Sequence, residues 1–288
     1  MILNKNSIIN YSEYTIAVLI TSFNRVDKSL NCVTTLYKLN PFCDVYLVDD
    51  NSNDKTVEIV SNKFPNIKII NGDGNLYWNR GMHLAWEYAC KKDYDFYLWL
   101  NDDIVLYDNC FIEIFECSLL NNHFSIISGI IETKNKSKII YGGTDINNKL
   151  ITPNNQMQII KNLNGNVVLI PKKVFKILGN LDPTFHHDLG DVEYGYRATK
   201  AGIKVLTTRK TIAYGYSNHL CRVRLNNSNI IKRFTKLYSP LGANPFIIYY
   251  FRKKYFGVIN AILYFIFLHF LNFIPDIINK FLFKTRYK

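Results

Sequence analysis

No CxxC pair occurs among the six cysteines (Cys32, Cys43, Cys90, Cys110, Cys117 and Cys221), and their spacing forms no regular framework. That argues against a disulfide scaffold and reads as buried free thiols in a reducing compartment. Neither GxGxxG nor GxxxxGK[ST] is present, so dinucleotide and P-loop binding are not favoured. The N-terminus, MILNKNSIINYSEY, lacks a basic start followed by an apolar core and does not read as a signal peptide. Internal repeats are missing too. Acids are scarce at one end: from Lys200 onward 16 Lys and Arg face a single acid, Asp276. The 199 residues before them hold 19 basic and 22 acidic residues, so the net charge of +12 belongs to the C-terminal third. Nucleic acid, anionic lipid and phosphorylated substrates each account for such an excess.

What is present is apolar. Across 288 residues the chain is 48% hydrophobic and 15% aromatic, enough for a sizeable core and unlike a disordered chain. Its first part alternates strand and helix. Ile16–Ile20, Val45–Asp49, Ile67–Ile70 and Tyr97–Leu100 read as strands, with helices over Lys28–Leu39, Lys55–Lys63 and Gly81–Lys92 between them. This is the pattern of βαβ units and a parallel sheet, whose ligands sit at the carboxyl ends of the strands. The polar clusters TSFNR, DDNSND and NDD fall at those ends. Further on, IISGII and NVVLI read as strands and Pro171–Gly179 as a helix opened by proline and closed by glycine.

Four segments carry chemistry. WLNDDIVL ends a strand on Asp102 and Asp103, which suits a hard divalent cation and equally suits a solvated, helix-capping turn. In VDDNSNDKT, an Asp at a strand end accepts hydrogen bonds from a base or ribose; the later Asn and Asp fit a capped loop. NGDGNLYWNRGMHLAW offers three glycines for close backbone approach and Arg80 for a diphosphate. FHHDLGDVEYGYRATKAG places Asp191 and Glu193 at a helix start, which reads either as dipole-favoured acids or as a general base, Asp191, at the mouth of a site. His186 and His187 are adjacent, and adjacent side chains rarely converge on one metal.

In order and spacing these segments resemble glycosyltransferase family 2, of the GT-A fold, over Thr15 to His219. The C-terminal LYSPLGANPF and the basic, aromatic segment after it resemble a bacterial subgroup that builds surface polysaccharides. The resemblance implies an α/β fold: a Rossmann-like, mostly parallel central sheet flanked by helices, with a C-terminal helical appendage. It also implies an inverting hexosyl- or deoxyhexosyltransferase using a UDP- or dTDP-linked sugar and Mn²⁺ or Mg²⁺, with a glycan or lipid-linked glycan as acceptor. Thr21, Asn24, Arg25, Asp50, Arg80 and Asp102 would bind the nucleotide-sugar, and Asp103 with His219 the metal. Asp191 would deprotonate the acceptor, near His186, His187 and Glu193. Two departures stand out: Asn101 takes the first place of the family's DxD, and Gly190 replaces the acid that precedes the base.

The division expected is a catalytic domain over 1–238 and a basic, aromatic segment over 239–288, with SPLGANP as linker. Tyr255–Ile274 is a mainly apolar run interrupted by Asn260 and His269 and closed by Pro275. With basic clusters on both flanks it reads as an interfacial helix at an anionic membrane, placing the protein in the cytoplasm at the inner face. The competing readings are an amphipathic helix packed on the domain, a nucleotidyltransferase acting on sugar phosphates, and a basic nucleic-acid-binding module. The long apolar run beside the charge disfavours the last.

Overall fold

A computed structural model describes residues 11–217 and 222–283. Strands β1 (Ile16–Ser22), β2 (Asp44–Asp49), β3 (Lys68–Asn71) and β4 (Phe96–Leu100) alternate with helices α1 (Val26–Leu39), α2 (Thr56–Lys63) and α3 (Tyr77–Ala89). All four strands are parallel, in the order β3-β2-β1-β4. The side-chain period of two divides each strand between two cores. Val18, Ile20, Leu98 and Leu100 enter one core, and Ala17, Leu19, Tyr97 and Trp99 enter the other. Burial on both faces is why these strands read as unbroken apolar runs.

Past β4 come β5 (Val105–Leu106), α4 (Cys110–Leu119), β6 (Ser125–Thr133), β7 (Ile139–Tyr141), β8 (Val167–Pro171), α5 (Lys172–Leu178), α6 (Gly190–Lys200) and β9 (Lys204–Gly215). Strand β8 joins antiparallel to β4 and to β6, and β6 runs parallel to β9, extending one sheet to nine strands among the described residues. Pairing is therefore mostly parallel and the fold class is the α/β one expected. Helix α4 escapes a periodicity reading because Glu113 interrupts its apolar face. That acid is buried at 4% exposure and satisfied from β9: Arg209 donates to it from the backbone N (2.8 Å), Nε (3.0 Å) and Nη2 (2.8 Å). Of the described cysteines all are free thiols; four are buried and Cys90 is exposed.

The C-terminal run differs from expectation. Helices α7 (Ile230–Tyr238), α8 (Pro245–Phe256), α9 (Val258–Phe273) and α10 (Asp276–Phe283) follow. Helix α8 starts inside the expected linker, where the Asn244 side chain accepts from Phe246 N (3.0 Å) and proline fills the first turn. Gly257, at φ 88°, then breaks the apolar run into two helices. The 16 residues of α9 span about 24 Å, short of a bilayer's hydrocarbon core of about 30 Å. No helix among the described residues is long and apolar enough to cross a membrane. The polar residues inside the run are paired: Asn260 accepts from Arg252 Nε (2.8 Å), and His269 binds Tyr238 OH through Nε2 (2.6 Å).

Candidate active site

The carboxyl ends of β1, β2 and β4 open into a cleft of about 490 Å³. Thr21, Arg25, Asp50, Asp102, Asp103, His187 and Asp191 all line it. Helix α3 lies hard against its floor: a Cβ on Gly81 would stand 2.3 Å from Thr21 Oγ1, so only glycine permits the approach.

The acids of WLNDDIVL take different tasks. Asp102 is buried at 4% exposure, receiving Arg25 Nη1 (3.1 Å) on one oxygen and Ser29 Oγ (3.3 Å) on the other. Burial pushes its carboxyl up, opposed by the Arg25 guanidinium. Asp103 is more open and shares the same Arg25 nitrogen at 3.3 Å. Asn101 explains its own departure from the acid. Its Oδ1 accepts from Trp78 Nε1 (2.6 Å) while its Nδ2 donates to Asn166 Oδ1 (2.7 Å), a donor–acceptor pair that a carboxylate lacks.

At the end of β2 both acids shape loops. Asp49 accepts from Ser52 N (2.9 Å) and Oγ (2.6 Å). Asp50 accepts backbone N–H bonds from Gly74 (2.8 Å), Leu76 (3.0 Å) and Tyr77 (3.0 Å), drawing the glycine-rich loop over the cleft. Asn24, at φ 52°, ties the β1 loop to the β2 loop by accepting from Asn53 N (2.7 Å). Arg80 points elsewhere: its Nε donates to Pro183 O (2.9 Å), and it is not among the cleft's lining residues.

Asp191 sits in the first turn of α6. Its carboxylate accepts from Gly165 N (2.9 Å) and Val192 N (2.8 Å), while enclosure by the protein pushes its pKa up against these bonds. The preceding residue must be glycine, because a Cβ at Gly190 would lie 1.7 Å from Asn79 Oδ1. Asn79 in turn holds the loop before α6, donating to Asp182 O and Phe185 O at 2.8 Å each. Leu189, capping α6 at φ 68°, adopts the left-handed conformation that bulky side chains avoid. Such a conformation persists only where its surroundings enforce it.

His187 lines the cleft, and burial with nearby Arg222, Arg25 and Lys236 lowers its pKa to about 4. His186 reaches only the neighbouring cavity. Glu193 lies outside both: it is fully buried and binds Arg197 Nη2 (2.9 Å), Lys254 Nζ (2.8 Å) and Tyr255 OH (2.7 Å), fastening α8 to α6. His219 lies outside the described residues. The structure adds residues that sequence reasoning missed, among them Trp78, Tyr141, Asn166 and the Asp188–Arg222 ion pair. The polar run NLNGN ahead of β8 was the available signal for Asn166.

Parallel strands that end on acids, with a further acid facing them from a later helix, make the architecture of GT-A glycosyltransferases. Residues 17–176 match the model for glycosyl transferase family 2, over half of the chain, and the chain belongs to that family. Among solved structures it is similar to GalNAc-T7, crystallised with UDP, GalNAc and Mn²⁺. The TM-score there is 0.57 at 16% identity, covering 72% of this chain and 44% of that one. It is also similar to S. aureus TarS 1–349, with TM-score 0.54 and 15% identity over 70% of this chain and 60% of that one. Against S. aureus TarS the TM-score is 0.59 at 10% identity, over 94% of this chain and 46% of that one. The chain thus spans about half the length of these structures, and at such identities the likeness is one of fold. Comparison with curated proteins found no match.

Proposed function

We propose that the chain is an inverting glycosyltransferase that moves a sugar from a UDP- or dTDP-linked donor to a hydroxyl of a glycan or lipid-linked glycan. The observation that carries this reading is the pairing of Asp103 and Asp191 in one cleft, one on the loop after β4 and the other on α6. A carboxylate with a raised pKa, lining a cleft and held by two backbone amides, has the features of a general base. Attack by the deprotonated hydroxyl from that side displaces the nucleoside diphosphate with inversion, and no protein atom bonds to the sugar.

A divalent cation fits the residues present. Magnesium-type sites use one or two carboxylates and complete their shell with substrate phosphates and water. Asp103 supplies such an oxygen, whereas both Asp102 oxygens are occupied by Arg25 and Ser29. When bound, Mn²⁺ or Mg²⁺ would offset charge on the departing diphosphate. Arg25, touching both acids, is placed to exchange that contact for a phosphate.

Bacterial cell-surface polysaccharide synthesis at the inner face of the membrane is the setting we assign. Support comes from residues 239–288, the segment we treat as a membrane-associating unit. Its helices expose Ile259 (76%), Ile277 (81%) and Phe281 (85%) beside Arg252, Lys253 and Lys280. The reaction is tested by screening nucleotide-sugars and assigning the product's anomeric centre by NMR. Inversion relative to the donor is expected; retained configuration would contradict Asp191 as base in a single displacement.

A further inference from the structure

A second cavity of about 500 Å³ adjoins the cleft. Tyr141, Asn164, His187, Asp188, Asp191 and Arg222 line both, so the two spaces meet at the base. Away from that seam the walls turn apolar. Ile140 comes from β7, Leu150 and Leu163 from the connection to β8, and Val192 from α6; Ala243 precedes α8, and Ile247 and Ile248 lie on it. A polar cleft and an apolar chamber thus share two acids at their boundary, Asp191 and the Arg222-paired Asp188. The chamber's volume falls within the roughly 300–1,000 Å³ of small-molecule sites, which are mainly apolar with a few fixed polar groups.

From this we infer that the chamber takes a hydrocarbon chain joined to the acceptor sugar. The acceptor would then be an amphiphile, with its sugar hydroxyl at Asp191 and its chain against Ile247 and Ile248. This deepens the transferase reading and rests on it. A freely water-soluble glycan has no use for such walls, since its hydroxyls would lose water and find few partners there. One wall is α8, the helix followed by the exposed apolar faces of α9 and α10. A chain anchored in a lipid layer would therefore meet the chamber through the element nearest that layer. Polar His187 belongs to the seam, where its Nδ1 is buried without a hydrogen-bond partner among the described residues.

The test uses the full chain with Mn²⁺ and UDP, and measures calorimetric affinity for matched octyl and methyl glycosides below micelle concentration. Glucosides, galactosides and N-acetylglucosaminides serve as probes. For at least one sugar the octyl form is expected to bind at least about tenfold more tightly, the worth of roughly two buried methylenes. Ala243→Trp, which fills the chamber, and Ile247→Asp, which makes it polar, should each abolish that preference with UDP affinity unchanged. Ile277→Asp with Phe281→Asp, on the exposed helices, should leave it intact. Octyl and methyl forms binding equally for every sugar would overturn the inference. So would a preference that survives both chamber variants, or one lost only with the exposed-face variant. Failure of both UDP and dTDP to bind the unaltered chain would instead overturn the donor reading; the alkyl comparison repeated without nucleotide keeps the two outcomes apart.

Discussion

Asp191 combines two environments in one side chain. Two backbone amides favour its ionised form, and the protein packed around it disfavours that form more strongly, leaving the pKa raised. A base works only when ionised, so transfer is lost as pH falls through this pKa. The acid limb of the rate profile is therefore expected above the range of an ordinary carboxylate near 3.8. A steady-state pH series on kcat checks this; a rate that stays flat down to pH 4 would contradict it. His187, with its pKa lowered to about 4, is mostly neutral above about pH 5. At this scale the sequence was legible in part. The resemblance named Asp103 and Asp191, and both line the cleft. Arg80 and Glu193 were also named, but their partners are Pro183 O and helix α8, which lie far along the chain. Contacts separated by 61 and 103 residues leave no local pattern to read. The two odd residues, Asn101 and Gly190, are each explained by one neighbour, Trp78 with Asn166 for the first and Asn79 for the second.

Elements were clearest where both faces are buried. Strands β1, β2 and β4 appear as apolar runs for that reason, whereas α4 was hidden by Glu113, whose compensation comes from β9. In the C-terminal run one glycine decides the outcome. Gly257 ends the docked helix α8 two residues into the candidate interfacial run, and α9 and α10 beyond it expose apolar side chains. Glu193 then bonds α8 to α6, so the helix bearing Asp191 and the helix leading to the apolar surface share a buried carboxylate. Helices α9 and α10 should bind membranes. Flotation with vesicles containing phosphatidylglycerol is expected to carry the protein upward, more strongly at low salt. Each Lys or Arg near an anionic surface contributes about 1 kcal/mol, and the effect is screened over a Debye length of about 10 Å at 0.1 M salt. Ile277→Asp with Phe281→Asp should return it to the soluble fraction. Unaltered protein that fails to float at low salt would remove the membrane from the account.

Charge and chemistry are separated across the whole molecule. The residues before Lys200 are slightly acidic and carry the cleft's carboxylates, while the basic excess lies in the C-terminal third. Composition alone left nucleic acid, lipid and phosphorylated substrates equally open. The fold sets basic residues of that third beside exposed apolar helices, while the family match covers residues 17–176, ahead of the basic excess. The central claim is a division of labour in one cleft: Asp103 serves the donor and Asp191 serves the acceptor. The measurement that tests it most directly compares Asp103→Ala with Asp191→Asn for UDP binding with Mn²⁺ and for sugar transfer. Asp103→Ala is expected to lose both. Asp191→Asn should bind UDP as the unaltered chain does, yet transfer roughly 10²–10⁴-fold more slowly. If Asp103→Ala binds and transfers normally, or Asp191→Asn transfers at full rate, the assignment of the cleft is wrong.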